Sequence, residues 1–108
     1  MRKTLEILWA TVAERDLLGI VEYVAEENPG AALGILDRSR VSAARLSRSP
    51  RRGRVVPELL DQGISRYREI VIRPWRVIYR VEAEKVYVVA VIDGRRNVED
   101  VLLARLLR

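Results

Sequence analysis

The sequence predicts an α+β domain in which an antiparallel sheet is covered on one face by an N-terminal helical hairpin, in the order β-α-α-β-β-β-β-α. Three observations predict it. Apolar residues alternate with period two at the start of the chain and again from residue 54 to 93, as half-buried strands require. Between them the period lengthens to that of a helix, interrupted once by Asn28-Pro29-Gly30. The chain has 108 residues, the size of one domain, with 49% hydrophobic and 32% charged residues, a balance that favours a packed core over disorder. Residues 1–108 are therefore expected to form a single domain.

The first strand covers residues 2–9, with Leu5, Ile7 and Trp9 on one face and Thr4 and Glu6 on the other. A helix follows over residues 10–27. Val12 or Ala13, Leu17, Ile20, Val21 and Val24 form its apolar stripe, and Glu14, Asp16, Glu22 and Glu26 lie opposite. Asn28 is placed to cap a second helix with Pro29 at its first position. That helix runs to about Ser47 with Ala32, Leu36, Ser39, Ala43 and Leu46 inward. Pro50 and Gly53 end it. Strands are then expected at residues 54–59, 65–72, 75–82 and 85–93, the last two joined by a tight Ala83-Glu84 turn. The final strand is apolar on both faces, as a central strand is. Asn97 opens a closing helix over residues 98–107.

Composition narrows the chemistry. There is no cysteine and no histidine, which removes disulfides, thiol nucleophiles, the usual neutral-pH base and the commonest metal ligands. No phosphate-binding glycine loop or metal-ligand spacing is present, so no cofactor and no metal are expected. The longest apolar run, Val86 to Ile92, is far shorter than the ~20 residues of a membrane span. With no apolar leader at the N-terminus, the cytoplasm is the expected compartment, without a membrane partner.

The net charge is +5 and the pI about 10.2, carried almost entirely by arginine. Residues 38–57 hold Arg38, Arg40, Arg45, Arg48, Arg51, Arg52 and Arg54 and no acid at all. Such a stretch is either a binding surface for polyanions or a solvated helix face. A second set is discontinuous. Arg76 and Arg80 share a strand face, Arg66 and Arg68 lie on the preceding strand, and Arg95 and Arg96 follow the next. If the helices cover the other side, these arginines line an open sheet face. They either bind phosphate or carboxylate there or pair with Glu58, Glu69 and Glu82. Glu58 is a candidate general base or an orienting partner for an arginine. The aromatics Trp9, Tyr23, Tyr67, Trp75, Tyr79 and Tyr87 fall at positions that read as core.

Several short motifs occur in a specific order. The first half carries Trp9-x₃-Ala13-x₂-Asp16-Leu17-x₂-Ile20-x₂-Tyr23, Pro29-x-Ala31-Ala32 and Leu46-x₃-Pro50-x₂-Gly53. The second half carries Val56-Pro57-Glu58-Leu59, Tyr67-Arg68-Glu69-Ile70, Pro74-Trp75-Arg76-Val77-Ile78-Tyr79-Arg80 and Asp93-Gly94-Arg95-Arg96. Together they resemble the RelE/ParE superfamily of bacterial toxins over essentially the whole chain. The resemblance implies a toxin neutralised by a cognate antitoxin whose flexible segment wraps over it. It implies one of two actions: ribosome-dependent, metal-independent mRNA cleavage in the RelE-like branch, or inhibition of DNA gyrase in the ParE-like branch.

For the nuclease, the resemblance assigns catalytic positions to Arg76, Arg96 and Glu58. The chain departs from that pattern. Leu102 stands where the catalytic tyrosine is expected, Arg95-Arg96 replaces a His-Tyr ending, and Asp93 replaces a histidine common before Gly-Arg-Arg. The amphipathic end, with Val98, Val101, Leu102, Arg105 and Leu106, is similar to the C-terminal extension of ParE-like toxins. The expectation is a ParE-like gyrase inhibitor. Its basic binding surface comprises Arg45, Arg48, Arg51, Arg52, Arg54, Arg68, Arg80 and Arg95. The mRNA endoribonuclease acting with the ribosome is the alternative, and a degenerate toxin that only completes a repressor complex is a third.

Overall fold

The computed structural model describes residues 4–106. The expected first strand begins at Arg2 and the expected last helix ends at Leu107, both outside the described residues. The elements are β1 (Glu6–Trp9), α1 (Thr11–Ala25), α2 (Pro29–Arg45), β2 (Arg54–Val55), α3 (Pro57–Leu60), β3 (Tyr67–Ile72), β4 (Trp75–Glu82), β5 (Lys85–Asp93) and α4 (Val98–Leu106). The strands form one sheet in the order β1-β5-β4-β3-β2.

The helical hairpin forms as its caps dictate. The Asn28 side chain accepts from the Ala31 amide at 3.0 Å, and Pro29, which has no N–H to lose, opens α2. Ala13 and Leu17 of α1 and Ile35 and Ala43 of α2 pack with Leu46 on one sheet face, against Ile72, Trp75, Val77, Tyr79, Val86, Val88 and Val91. The small residues Ala13, Ala32 and Ala43, each nearly fully buried, line the inner side of the hairpin.

Three features depart from expectation. First, β1 pairs with β5 in parallel, from Glu6 opposite Lys85 to Trp9 opposite Val88, so the otherwise antiparallel sheet has one parallel edge. The hairpin of helices carries the chain across the sheet before it re-enters as β2. Secondly, the strand expected at residues 54–59 stops at Val55. Val56 makes a last ladder bond to the Tyr67 carbonyl at 3.0 Å, but Pro57 has no amide to continue it and its fixed φ suits a helical first turn. Thirdly, the sheet face bearing the arginines is not open. A second apolar cluster covers it, in which Val56 and Leu59 from the α3 region and Val98 and Leu102 of α4 pack on Tyr67, Ile78, Val89, Ala90 and Ile92.

β5 serves both clusters through a bulge. Its register with β4 shifts between Ile78 and Tyr79, which pair with Ala90 and Val88, leaving Val89 as the extra residue. Val86, Val88 and Val91 join the first cluster, while Val89, Ala90 and Ile92 join the second. The Ala83-Glu84 turn between β4 and β5 forms as expected, with Ala83 at φ 54°, a left-handed conformation that favours glycine or asparagine.

Candidate functional site

Arg76, on the second face of β4, is 7% exposed and so cannot be left without a partner. Its two terminal nitrogens donate to the two Glu58 oxygens at 2.6 Å each, a bidentate pair, and its Nε donates to Glu69 Oε1 at 2.6 Å. The other Glu69 oxygen accepts from Arg54 Nε at 2.6 Å. α3 brings Glu58 over the sheet, β3 presents Glu69 from beneath, and β2 supplies Arg54 beside it. The result is an electroneutral cluster of two arginines and two glutamates. Hydrogen bonding to Arg76 holds the Glu58 carboxyl below the usual glutamate range, against the opposing effect of burial. The same pair holds the Arg76 proton more firmly than in a free arginine.

The other expected residues divide by what they touch. Arg68 donates to the Gly53 carbonyl at 2.8 Å and ties the loop before β2 to β3. Arg80 pairs with Glu82 at 3.2 Å and lies over the Tyr87 ring at 4.6 Å. Arg95 reaches back to Asp93 at 2.8 Å, which lowers the Asp93 pKa through that hydrogen bond. Arg96 is exposed and makes no ion pair among the described residues. The same holds for Arg45, Arg48, Arg51 and Arg52. Arg45, Arg48 and Arg52 line one shallow cleft with Thr4, Val41 and Ser49. The structure therefore corrects the picture of an arginine-lined open sheet face. Arg54, Arg76 and Arg80 on that face are taken up by carboxylates and a ring, with Arg76 buried beside α3. Arg68, opposite Tyr79, lies on the hairpin side of the sheet and is held by a carbonyl.

Three residues take places that the sequence reading did not give them, although Glu69 was among the candidate partners of the arginines. Glu69, 1% exposed, is the centre of the ion cluster, and its burial is invisible in a strand that alternates charged and apolar residues. Asp16 accepts from the Val91 amide at 3.0 Å and from Arg105 of α4, whose Nη2 lies 3.1 Å away. β1 ends opposite Val88, so the Val91 amide has no strand neighbour on that edge, and Asp16 stands in for one. Tyr23, read as core, is instead 71% exposed. It lines a cleft of about 480 Å³ between α1, the open edge of β5 and α4, together with Arg15, Trp75, Arg95, Arg96 and Arg105. Tyr79, by contrast, is fully buried. Its hydroxyl donates to the Pro50 carbonyl at 2.8 Å and accepts from the Gly53 amide at 2.9 Å, and burial pushes its pKa up. Gly53 is required there, since a Cβ would lie 2.5 Å from the Glu69 carbonyl oxygen.

Among the described residues, no group of His, Cys, Asp or Glu side chains is arranged to hold a metal ion, and no helix is long and apolar enough to cross a membrane.

Comparison with known proteins gives concordant results. Residues 7–98 match the model of the ParE toxin of the type II toxin–antitoxin system parDE. Toxin ParE3 of Caulobacter vibrioides is 34% identical over 73 residues, which span 66% of this chain and 69% of that protein. Among solved structures, the chromosomal ParDE toxin–antitoxin system from P. aeruginosa superposes with a TM-score of 0.68 at 17% identity, over 83% of this chain and 96% of that one. The RelBE2 toxin–antitoxin complex of Mycobacterium tuberculosis superposes with a TM-score of 0.55 at 18% identity, over 86% and 94%. At those identities the two structures speak for the fold.

Proposed function

Because the chain belongs to the ParE toxin family of type II toxin–antitoxin systems, we propose that it arrests growth by binding and inhibiting DNA gyrase and that a cognate antitoxin neutralises it. The observation that carries this reading is the state of Arg76. A ribonuclease of the RelE-like kind needs this guanidinium directed at a scissile phosphate. Here all three of its nitrogens are bound to Glu58 and Glu69. Glu58 is equally committed. A general base works best with a pKa near the operating pH, and the ion pair moves this carboxyl the other way. Leu102, at the position where the nuclease branch has tyrosine, is fully buried in the second apolar cluster. Such a surface binds and does not cut. The exposed arginines of the α2 end and the loop after it, together with α4, are the contact elements in this proposal.

The test runs the purified protein, free of antitoxin, in parallel gyrase-supercoiling and ribosome-programmed mRNA assays. Supercoiling should be lost while the mRNA stays intact. Arg96→Ala is the discriminating variant, because Arg96 is exposed and its loss leaves the folded core alone. It should inhibit supercoiling as the wild type does. Codon-phased mRNA cuts that drop about 10²–10³-fold in Arg96→Ala, as expected on removing a charge from a preorganised transition-state site, would establish the endoribonuclease instead.

A further inference from the structure

We propose that the unpaired arginines Arg38, Arg45, Arg48, Arg52 and Arg73 form a docking band for the phosphate backbone of duplex DNA. Two shallow clefts on the outer side of α2 share Arg45 and Val41. One also holds Arg38 and Arg73, the other Arg48 and Arg52. Arg38 and Arg45 stand two turns apart on α2, about 10 Å along its axis. Arg48 and Arg52 continue the line into the loop that follows. The hydroxyls of Ser42, in the first cleft, and of Thr4 and Ser49, in the second, add hydrogen-bond donors suited to phosphate oxygens.

Charge and partners distinguish this band from an ordinary solvated surface. Among the described residues, Arg54, Arg76, Arg80, Arg95 and Arg105 make ion pairs, while the five arginines of the band, like Arg15, Arg40, Arg51, Arg66, Arg68 and Arg96, do not. What sets the band apart is that five such charges line two adjoining clefts. Asp37 is the single acid lining either cleft. Attraction to the negative C-terminal end of α2 accounts for Arg45, which lies in the last turn. It does not account for Arg38, a further two turns back, or for Arg73, on a different loop. Arg38 makes only a long 3.4 Å contact to the Gly34 carbonyl. Five like charges along one side of α2 and the loops beside it repel one another, and a polyanion removes that repulsion.

The band also indicates which polyanion. Single strands are held by aromatic rings on which bases stack. The lining here is aliphatic, Val41 and Val71, and no aromatic residue lines either cleft. That leaves contact with the backbone of a duplex, without base readout. The assignment to DNA in preference to RNA rests on the gyrase reading above, whose substrate is duplex DNA. In that setting these arginines, contact elements in the reading above, would meet the DNA on which the target works, and α4 would supply the contact with the target protein.

The experiment measures binding to a short fluorescent DNA duplex by anisotropy across a salt series, with no gyrase present. Affinity should fall with a log–log slope of about −0.9 for each phosphate engaged, so between about −3 and −4.5 for the band. The Arg48→Ala/Arg52→Ala double variant should lose roughly 2 of that slope. Arg66→Ala, which removes an exposed charge lying over the Tyr67 ring, should keep the slope. Equal slopes in the double variant and Arg66→Ala, no binding at all, or tighter binding to single-stranded DNA or duplex RNA would overturn the proposal. The two readings fail separately. Gyrase inhibition without binding to naked DNA removes only the band, and DNA binding without gyrase inhibition removes only the proposed function.

Discussion

Arg76 and Glu69 show how much a single buried charge constrains its neighbours. Glu69 has a fully buried side chain and touches two arginines, one buried and one 61% exposed. Removing it leaves Arg76 in a dry site with only Glu58. Glu69→Ala should cost roughly 3–5 kcal/mol, the penalty for breaking a buried pair, read from urea unfolding. A cost within the range of a surface substitution would mean that water reaches Arg76. Glu58 makes a pH prediction. Its folded-state pKa is depressed, so the stability it contributes is present above the unfolded glutamate value and lost as pH falls through the folded value. Acid unfolding curves should therefore steepen below the ordinary glutamate range, and Glu58→Gln should flatten that limb while lowering stability at neutral pH. An acid limb unchanged in Glu58→Gln would show that other carboxylates set it. The same cluster makes Arg76→Ala a poor probe of catalysis, since lost activity and lost stability would coincide.

At the level of elements, α3 and α4 were the hardest to read. Residues 54–59 read as one strand, and Pro57-Glu58-Leu59-Leu60 is too short to mark a helix by period; the missing Pro57 amide is what ends the strand. α4 was legible from Asn97, whose side chain accepts from the Asp100 amide at 3.2 Å, and from its apolar spacing. Where α4 docks was not legible. Part of the answer is Asp16, 89 residues from Arg105 in sequence, which joins α1, the open edge of β5 and α4 in one contact. Asp16→Ala strips the acceptor from the Val91 amide and the partner from Arg105. It should cost about 1–3 kcal/mol and speed hydrogen exchange in α4 more than in α2. Equal acceleration in both helices would mean global destabilisation with no specific anchor. In a double-mutant cycle with Arg105→Ala, the two losses should be less than additive.

Over the whole molecule the charge is sorted, and sorting matters more than the net +5. α1 carries Glu14, Asp16 and Glu22 with a single arginine, and the α2 end and its following loop carry the unpaired arginines. Approach of a polyanion is thereby oriented toward one end of the hairpin. The salt slope expected of the DNA band is the solution counterpart of that polarity. Burial sets the limit on reading such a surface from sequence. Arg54 and Arg52 look alike in the chain, yet one is tied to Glu69 and the other makes no ion pair among the described residues.

The element order apart from α3, the hairpin caps, the paired strands β4 and β5, and the family follow from sequence alone, because period, proline chemistry and motif order act over a few residues at a time. Tertiary structure alone decided the parallel β1–β5 edge, the second apolar cluster and which arginines remain unpaired. A strand's partner, a face's cover and a charge's counter-charge are chosen between residues far apart in the chain. Each choice depends on desolvation that no local pattern records, as Glu69, Asp16 and Tyr23 show.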